Sequence, residues 1–291
     1  MTTKLCEECH ADVGIMLDTD ADRSGFVLPR EVRSDGCDRY EPLNGNRLIA
    51  LLGVIFAESA PGCTIVTDSV TSEGLGQFLR DLGLRHYRFV RGYANVISKA
   101  QELNEAGVDA QVAIETSGHC AMKENGFLDD GTYTAVKVLG FLAKLTRERH
   151  NDAPFSLLEY IDGMAEMEEV KEIRFTARDG TVDTTKMVFE QCEAMIENMC
   201  KQEGKGWQLD YDNMEGVRVR TTGGRDGSFF MIRRSLHDPV LSLYMEGSSV
   251  SEIKEEVVLP LLGMFEDNAF VNEALDLSPL KELATYVGLG P

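Results

Sequence analysis

The sequence predicts an α/β architecture followed by an antiparallel α+β unit. Apolar strand-like runs alternate with helix-like runs from about residue 11 to residue 145. After Met167 the pattern changes to short strand-like runs, and Gly-containing loops such as Gly223-Gly224-Arg225-Asp226-Gly227 separate them. Alternation of the first kind marks a parallel sheet covered by helices, and the second kind marks hairpins. A chain of 291 residues has room for two or three compact units, and the acidic stretch Ala165 to Val170 is the expected boundary.

Taken in order, Ala11 to Leu17 is a short apolar run that ends in carboxylates, which reads as a buried strand feeding a loop. Asn46 to Ser59 carries Leu48, Leu51, Leu52, Ile55 and Phe56 at helical spacing and is stopped by Pro61-Gly62. Thr64 to Val66 is a strand, Ser72 to Leu82 a helix, His86 to Val90 a strand and Asn95 to Ala106 a helix. Gln111 to Ile114 is the next strand, and Asp129-Asp130-Gly131 caps a helix running to about Leu145. Beyond the boundary, Glu172 to Thr176 is a strand and Asp183 to Glu203 a helix. Four strands follow at Gln208 to Tyr211, Glu215 to Arg220, Ser228 to Arg233 and Leu241 to Glu246, and Ser251 to Glu266 closes the unit as a helix.

Composition narrows the function. Asp and Glu number 49 against 29 Lys and Arg, a formal charge of -20, so nucleic acid and anionic membrane are poor partners. No apolar run is long enough to span a bilayer. Met1 to His10 holds Glu7 and Glu8 and no apolar core, unlike an export signal. Seven irregularly spaced Cys then suggest reduced thiols and a cytoplasmic protein. Cys6-Glu7-Glu8-Cys9-His10 has the spacing of a haem-attachment motif, but that chemistry goes with export, so a polar helix end is the better reading. Cys63 and Cys120 lie beside apolar runs and read as packing residues.

Three loops carry chemistry. Asp18, Asp20 and Asp22 alternate at a strand end, where they repel one another unless a cation is present; all-oxygen ligation favours Mg²⁺. A calcium-hand loop is excluded by Arg23 and Pro29, which stand where Gly and Glu are required. A phosphatase of the DxD type would use Asp18 as nucleophile and Asp20 as acid, but Asp22 replaces its Thr or Val; a solvated acidic turn is the plain structural alternative. The strand Gln111 to Ile114 ends in Glu115-Thr116-Ser117-Gly118-His119, which offers a carboxylate, a hydroxyl and an imidazole together. Arg233-Arg234-Ser235-Leu236-His237-Asp238-Pro239 makes an anion cradle, toward which strand alternation lets one of the two arginines face readily.

In this order, DTDADRS (Asp18 to Ser24), ETSGH (Glu115 to His119) and RRSLHDP (Arg233 to Pro239) resemble the α-D-phosphohexomutase family of phosphoglucomutases and phosphomannomutases. TIVTDSVTS (Thr64 to Ser72) and ENGFLDDGTYTAVK (Glu124 to Lys137) look like the same family, so the likeness covers nearly the whole chain. It implies residues 1–42 as an incomplete second α/β domain with the metal loop, 43–167 as a complete third α/β domain, and 168–291 as an α+β lid. It implies a Mg²⁺-dependent transfer of a phosphoryl group between the 1- and 6-positions of a hexose phosphate, by way of a phosphoserine. Asp18, Asp20 and Asp22 would ligate Mg²⁺, and Arg23 would meet the transferring group. Glu115 and Ser117, with His119 beside them, would bind hydroxyls that glucose and mannose share. Arg233, Ser235 and His237 would hold the distal phosphate.

Two departures stand out. The family's Ser-His-Asn-Pro-like loop does not occur, and Met1 falls late in what would be the second domain, which implies an absent first domain, exposed apolar edges and a chain inactive alone. A fragment that binds sugar phosphate without turnover is the alternative. Where many relatives place a Lys after Arg91-Gly92, this chain has Ala94, and Arg91 is the candidate substitute cation.

Overall fold

The computed structural model describes residues 1–31, 39–149, 155–202, 204, 206–221, 223, 227–235 and 238–285. The chain forms two compact units, Met1–Ala165 and Glu166–Pro291.

The first unit begins with helix α1 (Thr2–Cys9) and an antiparallel sheet in the order β1 (Gly14–Leu17), β2 (Ser24–Glu31), β3 (Arg39–Pro42). The expected buried strand is instead the edge of this hairpin, with Met16 and Leu17 exposed. The central strand β2 carries the burial, sending Phe26 and Leu28 into the core. Cys6 is buried and Cys9 exposed in the last turn of α1, and His10 follows in the left-handed region.

Around that core runs α2 (Gly45–Ser59), capped by the Asn44 side chain on the Arg47 amide. Every residue from Leu48 to Phe56 is buried, so this is a central helix and not a surface stripe. There follow β4 (Thr64–Asp68), α3 (Glu73–Asp81), β5 (Arg85–Phe89), α4 (Tyr93–Glu105), β6 (Ala110–Ile114), β7 (Cys120–Met122) and α5 (Gly131–Glu148). The sheet order is β5-β4-β6-β7; β4 pairs in parallel with both neighbours, and the three-residue β7 returns antiparallel on the edge. The parallel strands point their C-terminal ends, with Asp68 and Glu115, to one side, the usual location of ligands in such sheets.

The second unit is a five-stranded antiparallel sheet in the order β8-β12-β11-β10-β9, built from β8 (Glu169–Thr176), β9 (Trp207–Leu209), β10 (Val217–Thr221), β11 (Phe229–Arg234) and β12 (Val240–Gly247), with helix α6 (Val182–Cys200) between β8 and β9. Its apolar core joins Phe230, Ile232, Leu241 and Leu243 to α6 and to the C-terminal helices. The expected closing helix is α7 (Val250–Ile253), a π turn over Lys254–Val258 and α8 (Leu259–Asp267). The chemistry explains the π turn. Pro260 has no N–H to give the Glu256 carbonyl, and the Trp207 indole donates to that carbonyl at 2.8 Å instead. The helix does not close the unit, because α9 (Ala269–Ala274) and α10 (Ser278–Thr285) follow and add Val271 and Leu280 to the core.

Candidate functional site

The carboxylate loop lies between β1 and β2, so hairpin pairing of Leu17 with Ser24 fixes its two ends. Within it the Ala21 amide donates to the Asp18 carbonyl and Ala21 takes a left-handed backbone. One ligand oxygen from each of Asp18, Asp20 and Asp22 lies within 4.8 Å of the others. Arg23 Nε donates to Asp18 Oδ2 at 2.7 Å and stands 3.9 Å from Asp22 Oδ1, so one guanidinium faces three carboxylates. Desolvation pushes the Asp18 carboxyl up, but the hydrogen bonds and charge of Arg23 outweigh it and hold Asp18 below the usual carboxylate range. Asp22 Oδ1 is buried and accepts no hydrogen bond. A buried anionic oxygen without a donor is costly, and a cation held by these three acids removes the cost. The residues therefore fit Mg²⁺.

The loop is tied to two later segments. Arg23 and His119 form an antiparallel bridge, and the Ser24 amide donates to the Gly118 carbonyl at 3.4 Å. The Gly131 amide, in the first turn of α5, donates to the Ala21 carbonyl at 3.0 Å. This brings the positive end of a helix against the acids. Only Gly permits that approach: a Cβ at residue 131 would lie 2.6 Å from the Arg23 carbonyl carbon. Gly131→Ala should therefore cost about 1–3 kcal/mol by forcing α5 off the loop. Urea denaturation read by far-UV circular dichroism checks this, and an unchanged midpoint would mean that the helix slides freely.

The second loop sits beside the first. His119 Nδ1 is 2.8 Å from Asp129 Oδ2 and 3.7 Å from Asp22 Oδ2, and its ring stacks on Tyr93 with centroids 4.8 Å apart. With the Asp129 carboxylate as acceptor, Nδ1 is the ring nitrogen that donates in this contact. Burial holds the Asp129 carboxyl above the usual carboxylate range, and the hydrogen bond and charge of His119 offset only part of that rise. Glu115 is buried; its Oε1 accepts from the Gly92 amide at 2.6 Å and its Oε2 from Ser117 Oγ at 3.2 Å. Part of its capacity therefore goes to fixing the N-terminus of α4. Ser117 is exposed. Arg91, half-buried just after β5, exerts its charge on Asp68.

In the second unit, Arg233 and Arg234 end β11. Arg233 lies opposite Ser242 and Arg234 opposite Leu241, so the two alternate between sheet faces. Arg234 shares its face with the helix-packed core, whereas Arg233 stands 3.9 Å from both Glu172 and Glu215. Ser235 Oγ accepts from the Asp238 amide at 3.1 Å in the turn to β12. His237 lies outside the described residues.

Residues 44–157 match the sequence profile of phosphoglucomutase/phosphomannomutase, alpha/beta/alpha domain III. The chain is 26% identical over 263 residues to a phosphoglucosamine mutase of Phenylobacterium zucineum, covering 88% of this chain and 47% of that one. It is 24% identical over 252 residues to a phosphomannomutase/phosphoglucomutase of Pseudomonas putida, covering 85% and 46%. Over residues 44–157, and more weakly over most of its length, the chain is similar to the α-D-phosphohexomutases. It spans about half the length of the relatives it matches. Two solved structures share the phosphohexomutase fold. A phosphoglucomutase/phosphomannomutase family protein from Burkholderia thailandensis aligns at TM-score 0.60 and 20% identity, over 96% of this chain and 49% of that one. The N-acetylphosphoglucosamine mutase of Aspergillus fumigatus, solved with GlcNAc-6P and magnesium, aligns at TM-score 0.53 and 13% identity, over 93% and 52%.

Three residues around the loops are not among the sequence-derived candidates. Asp129 is the partner of His119, yet its neighbour Asp130 makes the α5 cap, and a pair of adjacent acids reads as capping alone. Tyr93 opens α4 and stacks on His119 with no motif to mark it. Asp68 ends β4 inside the quoted TIVTDSVTS segment, and its position at a parallel strand end was the available signal. Among the described residues no helix is long and apolar enough to cross a membrane.

Proposed function

We propose that this chain carries the metal, sugar and distal-phosphate residues of a hexose-phosphate mutase of the phosphoglucomutase/phosphomannomutase type. The supporting observation is the Arg23–His119 bridge, which sets the carboxylate loop directly against the Glu115 to His119 loop. Asp18, Asp20 and Asp22 would hold Mg²⁺, which when bound supplies charge neutralisation to a phosphoryl group. Arg23 stands beside them as the cation for the transferring oxygens. His119, oriented by Asp129 and Tyr93, presents Nε2 as the base for a sugar hydroxyl proton. Glu115 and Ser117 orient the sugar hydroxyls, and Arg233, Ser235 and His237 take the distal phosphate, with Arg91 an additional cation near the sugar loop. In phosphoryl transfer such positioning and charge compensation do most of the work.

The donor in this family is a serine in a Ser-His-Asn-Pro-like loop, and the sequence contains no such segment. Alone, therefore, the chain binds hexose phosphate without turning it over. The test is calorimetric titration with glucose 6-phosphate together with an assay of glucose 1-phosphate isomerisation, primed with the bisphosphate and Mg²⁺. Binding without turnover is expected. Turnover would refute the missing donor, and failure to bind would refute the reading. Arg233→Ala should weaken glucose 6-phosphate binding about tenfold or more, and Arg234→Ala by no more than about twofold. Equal losses in the same titration would undo the assignment of Arg233.

A further inference from the structure

Asp68 breaks a rule of the core it sits in. It ends the fully buried strand β4, has no exposed surface, and has Glu115 as a like-charged neighbour. Its Oδ2 accepts from Thr116 Oγ1 at 2.7 Å and from the Thr116 amide at 3.3 Å, while its Oδ1 is buried with no hydrogen-bond partner. Burial pushes the carboxyl up to about 6; Thr116 and Arg91 pull it down, and Glu115 pushes it up. Arg88 stands one hydrogen bond further away, on Thr71 Oγ1, which donates to the Asp68 carbonyl.

The sign of the resulting stability change is clear. Below the ordinary aspartate range the residue is protonated in both the folded and the unfolded chain, and it takes nothing from the stability of the fold. As pH rises from there through 6, the unfolded chain ionises first, and stability is lost. At neutral pH the fold thus retains a carboxylate that weakens it. Residues kept against stability concentrate where function needs them.

What Asp68 holds is the middle residue of the sugar loop. Thr116 lies between Glu115 and Ser117, and its carbonyl packs against the first turn of α2, where a Cβ on Gly45 would collide with it. Clamped from both sides, Thr116 leaves its two neighbours little freedom, and the Glu115–Ser117 hydrogen bond and the Glu115–Gly92 contact complete the arrangement. We propose that Asp68 is a positioning residue for sugar recognition: by clamping Thr116 it holds Glu115 and Ser117 in the arrangement that reads the hydroxyls. This rests on the assignment of those two residues to the sugar.

The test uses the full chain, Asp68→Asn and Thr116→Val. Thr116→Val should bind glucose 6-phosphate about fivefold to tenfold more weakly by calorimetry at pH 8, the loss of one hydrogen bond to a charged group, and inorganic phosphate unchanged. Asp68→Asn keeps the shape and one acceptor. It should raise Tm at pH 8 and abolish a titration near pH 6 of the Thr116 amide seen by nuclear magnetic resonance. The role is overturned if the unmodified chain binds the sugar phosphate and Thr116→Val binds it equally well, or loses inorganic phosphate to the same degree. It is also overturned if the amide titration survives in Asp68→Asn. An unmodified chain that binds no glucose 6-phosphate removes the sugar assignment itself, and an amide that still titrates near 6 then shows the clamp without the sugar.

Discussion

Replacing Asp22 with Asn should reduce Mg²⁺ affinity by about a hundredfold. Partners one shell removed from a metal typically account for a tenfold to hundredfold change, and a carboxylate offered directly to the ion accounts for no less. Asp22 is the sensitive member of the three. Asp18 already has Arg23 at 2.7 Å, and Asp20 is exposed to water, whereas the buried oxygen of Asp22 has no donor. It also belongs to a second grouping, with His119 and Asp129, whose ligand atoms lie within 4.8 Å of one another. Two measurements bear on the expectation. Calorimetric titration gives the affinity directly. Thermal melts give it through linkage, because a ligand that binds only the folded chain raises Tm in proportion to the logarithm of its concentration over Kd. In chelator, Asp22→Asn should melt at or above the parent temperature, since it relieves repulsion among the acids. With Mg²⁺ the order should reverse. If both chains gained equally from Mg²⁺, the loop would be an acidic turn and nothing more.

What the sequence revealed about this region and what it hid have separate physical causes. The acids at 18, 20 and 22 were legible because they are close in the chain and their mutual repulsion demands an explanation wherever the chain goes. The contact of their loop with His119 was not legible, because a single bridge between distant residues leaves no periodicity. Asp129 was hidden by Asp130: two adjacent acids before a helix are both good caps, and only the fold decides that one caps α5 while the other meets an imidazole. The long helices could be read from their apolar spacing, and α2 was found although its burial runs all the way round. β7 was missed because three residues cannot establish a two-residue period, and β2 and β3 because Arg and Pro interrupt the alternation. Met16 and Leu17 misled for the opposite reason. Their apolar character predicted burial, but as residues of an edge strand they remain exposed.

In the second unit, Asp210→Ala should destabilise the sheet by about 3–5 kcal/mol, the usual result of removing one partner from a buried ion pair. Both side chains are almost wholly excluded from water, at 2% for Asp210 and 0% for Arg218, with Arg218 Nε 3.3 Å from Asp210 Oδ2. The guanidinium lies 3.4 Å above the Phe229 ring, and Arg220 reaches the other carboxylate oxygen at 3.3 Å. Deleting the acid takes a carboxylate away from a buried cation, which desolvation makes more expensive than the lost contact itself. Replacing the two partners together should therefore do less harm than replacing one. Arg218→Met with Asp210→Asn keeps the volume, gives sulfur an aromatic neighbour and buries no charge. Trp207 makes the measurement specific, because it is the single Trp of the chain and is buried at the start of β9, so its fluorescence in urea reports this unit. The consequence should also reach Arg233, the residue proposed to take the distal phosphate. Arg218 pairs with Met231 across β10 and β11, and Met231 lies two residues from Arg233 on the same face. A loosened β10 should thus weaken inorganic phosphate binding before the unit melts. Superimposable urea curves for Asp210→Ala and the parent would show that water reaches Arg218 readily, and that the pair contributes little to holding Arg233 in place.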